Sequence, residues 1–218
     1  IKLNVNYTSF LIIKGFPMKN KLIYIILGLF LLSTPLIANN KYPHLNIACV
    51  EELKPSLSKI LEIEGARKLI EAINKEGPIR IIVNKHHLSD QFGAYWDMRQ
   101  RTICLSSKSS VGQRIGSIIF ELCNAASNSK LDNLDELASR GRIACETYVR
   151  EVERIEFENS HIASKIAKEG IDRGLFPADA FLPTYSNFEE HYHYQKIGGH
   201  SAWIEKNFYK LLPYHAAR

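Results

Sequence analysis

The stretch Gly93–Ser107, GAYWDMRQRTICLSS, sets the frame of the fold. Gly93–Asp97 and Arg101–Ser106 are both rich in strand-forming residues, and Met98, Arg99 and Gln100 stand between them as a turn. That pattern predicts a β-hairpin. Its second arm alternates, with Thr102, Cys104 and Ser106 on one face and Ile103 and Leu105 on the other. Upstream, the β-branched run IRIIV, Ile79–Val83, adds a further strand. The expectation is an α+β fold: a small antiparallel sheet with a hairpin, followed by a helix-rich C-terminal half.

Outward from the hairpin the periodicity becomes helical. Before it, Pro55–Glu62 and Ala66–Lys75 place Leu57, Ile60 and Leu61, then Leu69, Ile70 and Ile73, at helical spacing, and Gly77-Pro78 ends the second helix. After it, Val111–Asn128 reads as one helix and Arg142–Glu169 as a longer one closed by Gly170. Residues 171–185, with Pro177 and Pro183, read as a loop. Ser186-Asn187-Phe188-Glu189 has the form of a capping box and predicts a new helix. Gly198-Gly199 interrupts that helix, and a last one runs over Ser201–Leu212 to Pro213. Residues 39–48 read as an extended lead-in. No linker divides residues 39–218, which are expected to form one domain.

The first 38 residues read differently. The methionines are Met18 and Met98. The expectation is that translation starts at Met18, with residues 1–17 as upstream read-through. Lys19 and Lys21 then precede the apolar run Leu22–Leu32, and Ala38 supplies a small residue for cleavage. The run is shorter than the roughly 20 residues of a membrane span, so residues 18–38 are expected to be a signal peptide. The protein would be exported to the periplasm or the extracellular space, touching a membrane only through this segment if it stays attached. Four of the 28 basic residues and none of the 23 acidic ones fall within residues 1–38, which leaves a net charge of +1 beyond them. That balance does not favour nucleic acid as a partner. Export also permits a disulfide among Cys49, Cys104, Cys123 and Cys145, with three pairings open.

On the helix after the hairpin, Ile115, Ile119, Leu122 and Ala126 form the core stripe, flanked by Cys123. Arg114, Ser117, Glu121, Asn124 and Asn128 recur on another face. Phe120-Glu121-Leu122-Cys123-Asn124 occupies five positions where many metallopeptidases carry H-E-x-x-H. Together, the strand RTICLSS, this helix and the later acidic helix CETYVREVERIEFE resemble the zincins, over roughly residues 79–160. The resemblance implies a substrate-binding edge strand before the helix. It matches Glu121 to the catalytic general base and makes Glu153 one candidate for the third zinc ligand, on a helix that also carries Glu146, Glu151 and Glu156. The two histidine positions hold Phe120, which has no donor atom, and Asn124, which offers a weak amide oxygen. Without a metal-bound water, Glu121 has nothing to deprotonate. The resemblance therefore implies a zincin-like pseudoenzyme that has lost zinc and peptidase activity, with no cofactor, acting as a binding or structural module for a protein or peptide partner.

The alternative is a hydrolase or metallopeptidase with a rebuilt site. Glu121 would work there with histidines from His86, His87 or the segment EEHYHYQKIGGHSAW, and His191, His193 and His200 would be the zinc candidates. His191 and His193, two apart on a helix, point to different faces. His200 stands near a helix N-terminus, where the dipole disfavours its protonated form. Plainer readings stand beside each. Histidines of this kind are mostly surface or packing residues. The acids of VREVERIEFE alternate with arginines, with Glu146 and Arg150 four apart and placed to pair. Cys123, on the edge of the core stripe, reads as a small hydrophobe rather than a nucleophile. Asn124, Glu153 and His200 remain binding candidates.

Overall fold

A computed structural model describes residues 41–84 and 87–212. The expected read-through, signal peptide and His86 lie outside these residues. No helix among them is long and apolar enough to cross a membrane.

Four short strands form one sheet: β1 (Ile47–Cys49), β2 (Ile79–Asn84), β3 (Ala94–Asp97) and β4 (Thr102–Ser106), in the order β1-β2-β4-β3. The hairpin β3–β4 is antiparallel, pairing Ala94 with Leu105 and Asp97 with Thr102. The rest of the sheet departs from the antiparallel expectation. β1–β2 and β2–β4 are parallel, so the sheet is mixed. Parallel pairing needs crossovers, and the connections supply them. Helices α1 (Lys54–Ile60) and α2 (Glu64–Asn74) join β1 to β2, and α3 (His87–Phe92) with β3 joins β2 to β4. RTICLSS is thus an interior strand, and all five residues of β4 are buried despite their alternation. The edge beside the functional region belongs to β3. The hairpin turn is held by Gln100 N–H donating to Asp97 Oδ1 at 2.9 Å. Arg101 adopts a positive φ of 47°, and its guanidinium donates to the carbonyls of Ile73, Gly77 and Pro78 at the end of α2.

The second half is helical. α4 (Val111–Ala126) opens on a capping box between Ser110 and Gln113. It ends at Ser127, where the chain turns straight into α5 (Asn128–Ser139). α6 spans Cys145–Asp172, 28 residues or about 42 Å. α7 (Phe188–Gly198) is capped by Asn187, not by the expected Ser186. Asn187 Oδ1 accepts from Glu190 N–H, and Ser186 donates to the Glu190 carboxylate instead. Asn caps as well as Ser, so the cap is displaced by one residue and the reciprocal half of the box is not formed. Gly199, at φ 83°, ends α7 and starts α8 (His200–Leu211).

Two apolar cores result. One packs the sheet against α1, α2, α4 and the C-terminal half of α6, around Ile81, Ile103, Ile115, Ile119 and Ala163. The other joins α5, the N-terminal half of α6, α7 and α8, around Tyr148, Val152, Phe188, Ile204 and Phe208. α6 belongs to both. The short turn at Ala178–Ala180 lies directly on α4, against Gly112 and Gly116. A Cβ at Gly116 would stand 2.8 Å from the Ala180 carbonyl oxygen, so only glycine admits this approach. The contact carries the following segment, Leu182–Tyr185, over the polar side of α4. All four cysteines are free, so the disulfide that export would permit is not formed.

Candidate functional site

A cavity of about 760 Å³ opens between the two cores. Phe92, Trp96, Phe120, Tyr185 and Trp203 supply aromatic walls, and Glu121, Asn124, Glu156, His191 and His200 supply polar groups. Strand β3 borders it through Ala94, Tyr95 and Trp96.

Glu121 and Asn124 project together from α4, as their spacing predicts, but neither is solvated. They are 5% and 7% exposed. A chain of donors converges on the acid. Ser127 Oγ donates to Asn159 Oδ1 (3.0 Å), Asn159 Nδ2 to Asn124 Oδ1 (2.9 Å), and Asn124 Nδ2 to Glu121 Oε2 (3.1 Å). Asn124 is therefore committed to hydrogen bonding on both ends of its amide. Burial pushes the Glu121 carboxyl up to about 8, and the Glu156 charge adds to this. The Asn124 amide, the positive His200 and a backbone hydrogen bond from Trp96 pull the other way without prevailing. At neutral pH Glu121 is a protonated acid that can donate a hydrogen bond into the cavity.

A second polar group lies on α6, α7 and α8. Glu153 is fully buried. Its Oε1 accepts from Ser201 Oγ at 2.7 Å and lies 3.2 Å from His200 Nδ1. His200 Nδ1 is also 3.7 Å from Glu156 Oε2. His191 Nε2 lies 3.4 Å from Glu153 Oε2, an ion-pair distance without hydrogen-bond geometry. Burial opposes ionisation of Glu153, yet His191, His200 and Ser201 outweigh it and hold its carboxyl down at about 2. Burial likewise opposes charge on His200, but Glu156, Glu153 and Glu121 raise it to about 9. These acids overcome the helix-terminus effect expected for His200. Glu156 is pushed up by burial against the pull of His200.

The three histidine candidates separate. His191 is buried at 4% exposure, while His193 is exposed beside Tyr194. Two residues apart on α7, they face different ways, so they do not form one cluster with His200. Glu156, which sequence reasoning grouped with the other acids of its helix, joins Glu153 and His200 instead. Its three-residue spacing from Glu153 was the available signal. The expected Glu146–Arg150 pair is replaced by Arg150 with Glu189 of α7, the guanidinium lying over Phe188 and Tyr192. Cys123 is 1% exposed and its thiol is pushed up to about 12 by burial, which makes it inert as a nucleophile. Comparison with protein-family models, curated proteins and solved structures found no match to this chain.

Proposed function

We propose that the protein is an exported, zincin-like binding module whose cavity holds a side chain of an extended peptide partner laid along β3. The observation that carries this reading is the position of β3. It is an antiparallel edge strand, and three of its consecutive residues border the cavity. An edge strand can take an added strand while a pocket beside it selects side chains; within β3 the Trp96 N–H is already engaged with Glu121. The walls are aromatic, and the few polar groups, led by the neutral Glu121, would orient the ligand. Phe120 and Asn124 supply no imidazole beside Glu121, and the Asn124 amide is already engaged. That supports the loss of the peptidase chemistry which the zincin resemblance implies for this helix.

A second reading, a hydrolase with a rebuilt site, is favoured by one observation: Glu121, His191 and His200 reach the same cavity from different helices. One experiment separates the two. The purified protein is incubated with a labelled peptide library, and both retention and cleavage are measured. Binding without cleavage, weakened in Trp203→Ala, supports the module. Cleavage that disappears in Glu121→Gln supports the hydrolase. Neither binding nor cleavage ends both readings.

A further inference from the structure

Glu153, Glu156 and His200 come from α6 and α8, and the sequence separates them by as many as 47 residues. Each offers one donor atom, and these atoms all lie within 4.8 Å of one another. From these donors we infer a binding site for a divalent transition-metal ion, with Glu153 Oε1, Glu156 Oε2 and His200 Nδ1 as its protein ligands. The inference does not depend on either functional reading above.

The two separations made by His200 suit such an ion. Donors about 2.0–2.2 Å from a tetrahedral zinc stand roughly 3.3–3.6 Å apart. His200 Nδ1 lies 3.2 Å from Glu153 Oε1 and 3.7 Å from Glu156 Oε2. The charge balance suits it as well. Two carboxylates match a doubly positive ion, which would displace the His200 proton on binding, and among the described residues no Lys or Arg pairs with either acid. Two carboxylates and one imidazole in a three-donor set suit zinc and its first-row neighbours better than calcium, which takes six or more oxygens.

A second observation concerns the carboxylate of Glu153. Glu153 Oε2 and both nitrogens of His191 are buried without a hydrogen-bond partner among the described residues. Buried polar atoms left so are costly, and His191 Nε2 and Glu153 Oε2 face each other just outside hydrogen-bond geometry. His191 stands 3.4 Å from Glu153 Oε2, on the side away from the ligand oxygen Oε1. A small rotation lets Nε2 donate there, orienting the carboxylate from behind as outer partners orient metal ligands. Ser201 Oγ, 2.7 Å from Oε1, fixes the same group from α8. Glu156 and His200 also line the cavity, so the remaining coordination position is reached from it.

The test uses the purified protein stripped with chelator and titrated with cobalt(II) and zinc(II) alone. The expected result is one equivalent of metal, with the visible bands of four- or five-coordinate cobalt. Glu156→Gln and His200→Asn should each lower cobalt affinity by at least the roughly 10–100-fold that loss of an outer partner costs. His193→Asn should leave it unchanged, and circular dichroism checks that each variant is folded. Should the variants unfold, X-ray absorption on the wild-type zinc form still decides. It should show oxygen and nitrogen neighbours with a single imidazole. Absence of binding, affinity unchanged in both ligand variants, or sulfur or several imidazoles around the zinc would each overturn the assignment.

Discussion

Replacing Glu121 by Gln should make the protein more stable at neutral pH, and increasingly so as pH rises. The carboxyl keeps its proton in the fold up to about pH 8 but loses it near 4.5 once unfolded. Between those values the native state binds more protons than the unfolded chain. Its contribution is therefore complete below pH 4.5 and falls away as pH climbs toward 8. At pH 7 the interval already crossed is about 2.5 pH units, which at 1.36 kcal/mol per unit is about 3 kcal/mol. Glutamine is neutral in both states and can still accept from Asn124, so it escapes that loss. The assay is urea unfolding of wild type and Glu121→Gln at several pH values from 4 to 7.5, with chelator present. His200, Glu153 and Glu156 titrate in both proteins and largely cancel in the difference, apart from the share of the His200 shift that Glu121 itself causes. The difference should move in the variant's favour by about 3 kcal/mol between pH 4 and pH 7. Two curves that stay parallel would show that Glu121 ionises normally, and the account of a dry, neutral acid in the cavity would be wrong.

Two further outcomes test the packing. Gly116→Ala improves helix propensity by about 1 kcal/mol but drives a Cβ to 2.8 Å from the Ala180 carbonyl. Overpacking should prevail, giving net destabilisation of about 1–2 kcal/mol by urea unfolding; a stabilised variant would mean that the 178–180 turn does not sit on α4. All four thiols should react with Ellman's reagent in denaturant without reductant, and Cys123 should be the slowest in the native protein. Fewer than four would reveal a disulfide.

Where local pattern determines structure, the sequence was readable. The hairpin follows from two strand-forming runs around Met98–Gln100, and α4 and α6 follow from long apolar periodicities. Parallel pairing of β2 with β4 leaves no comparable local mark, because it depends on how α3 and β3 return the chain. α5 escaped notice because it is mostly polar, with only Leu134 and Ala138 among its apolar residues fully covered, and because Ser127 turns the chain without glycine or proline. The shared face of Glu121 and Asn124 was visible from helical spacing. Their burial was not, since it comes from Asn159, 35 residues further on, and from the segment after the 178–180 turn. The divergence of His191 and His193 was likewise local. The meeting of His200 with Glu153 was not, as 47 residues separate them and only the packing of α8 on α6 joins them.

Because one unbroken rod, α6, is built into both apolar masses, the two halves have no hinge along that wall. Bending it would break main-chain bonds inside a 28-residue helix that carries no proline. Any change in the width of the cavity would then have to come from α7, α8 and the Leu182–Tyr185 segment, with the rod left straight.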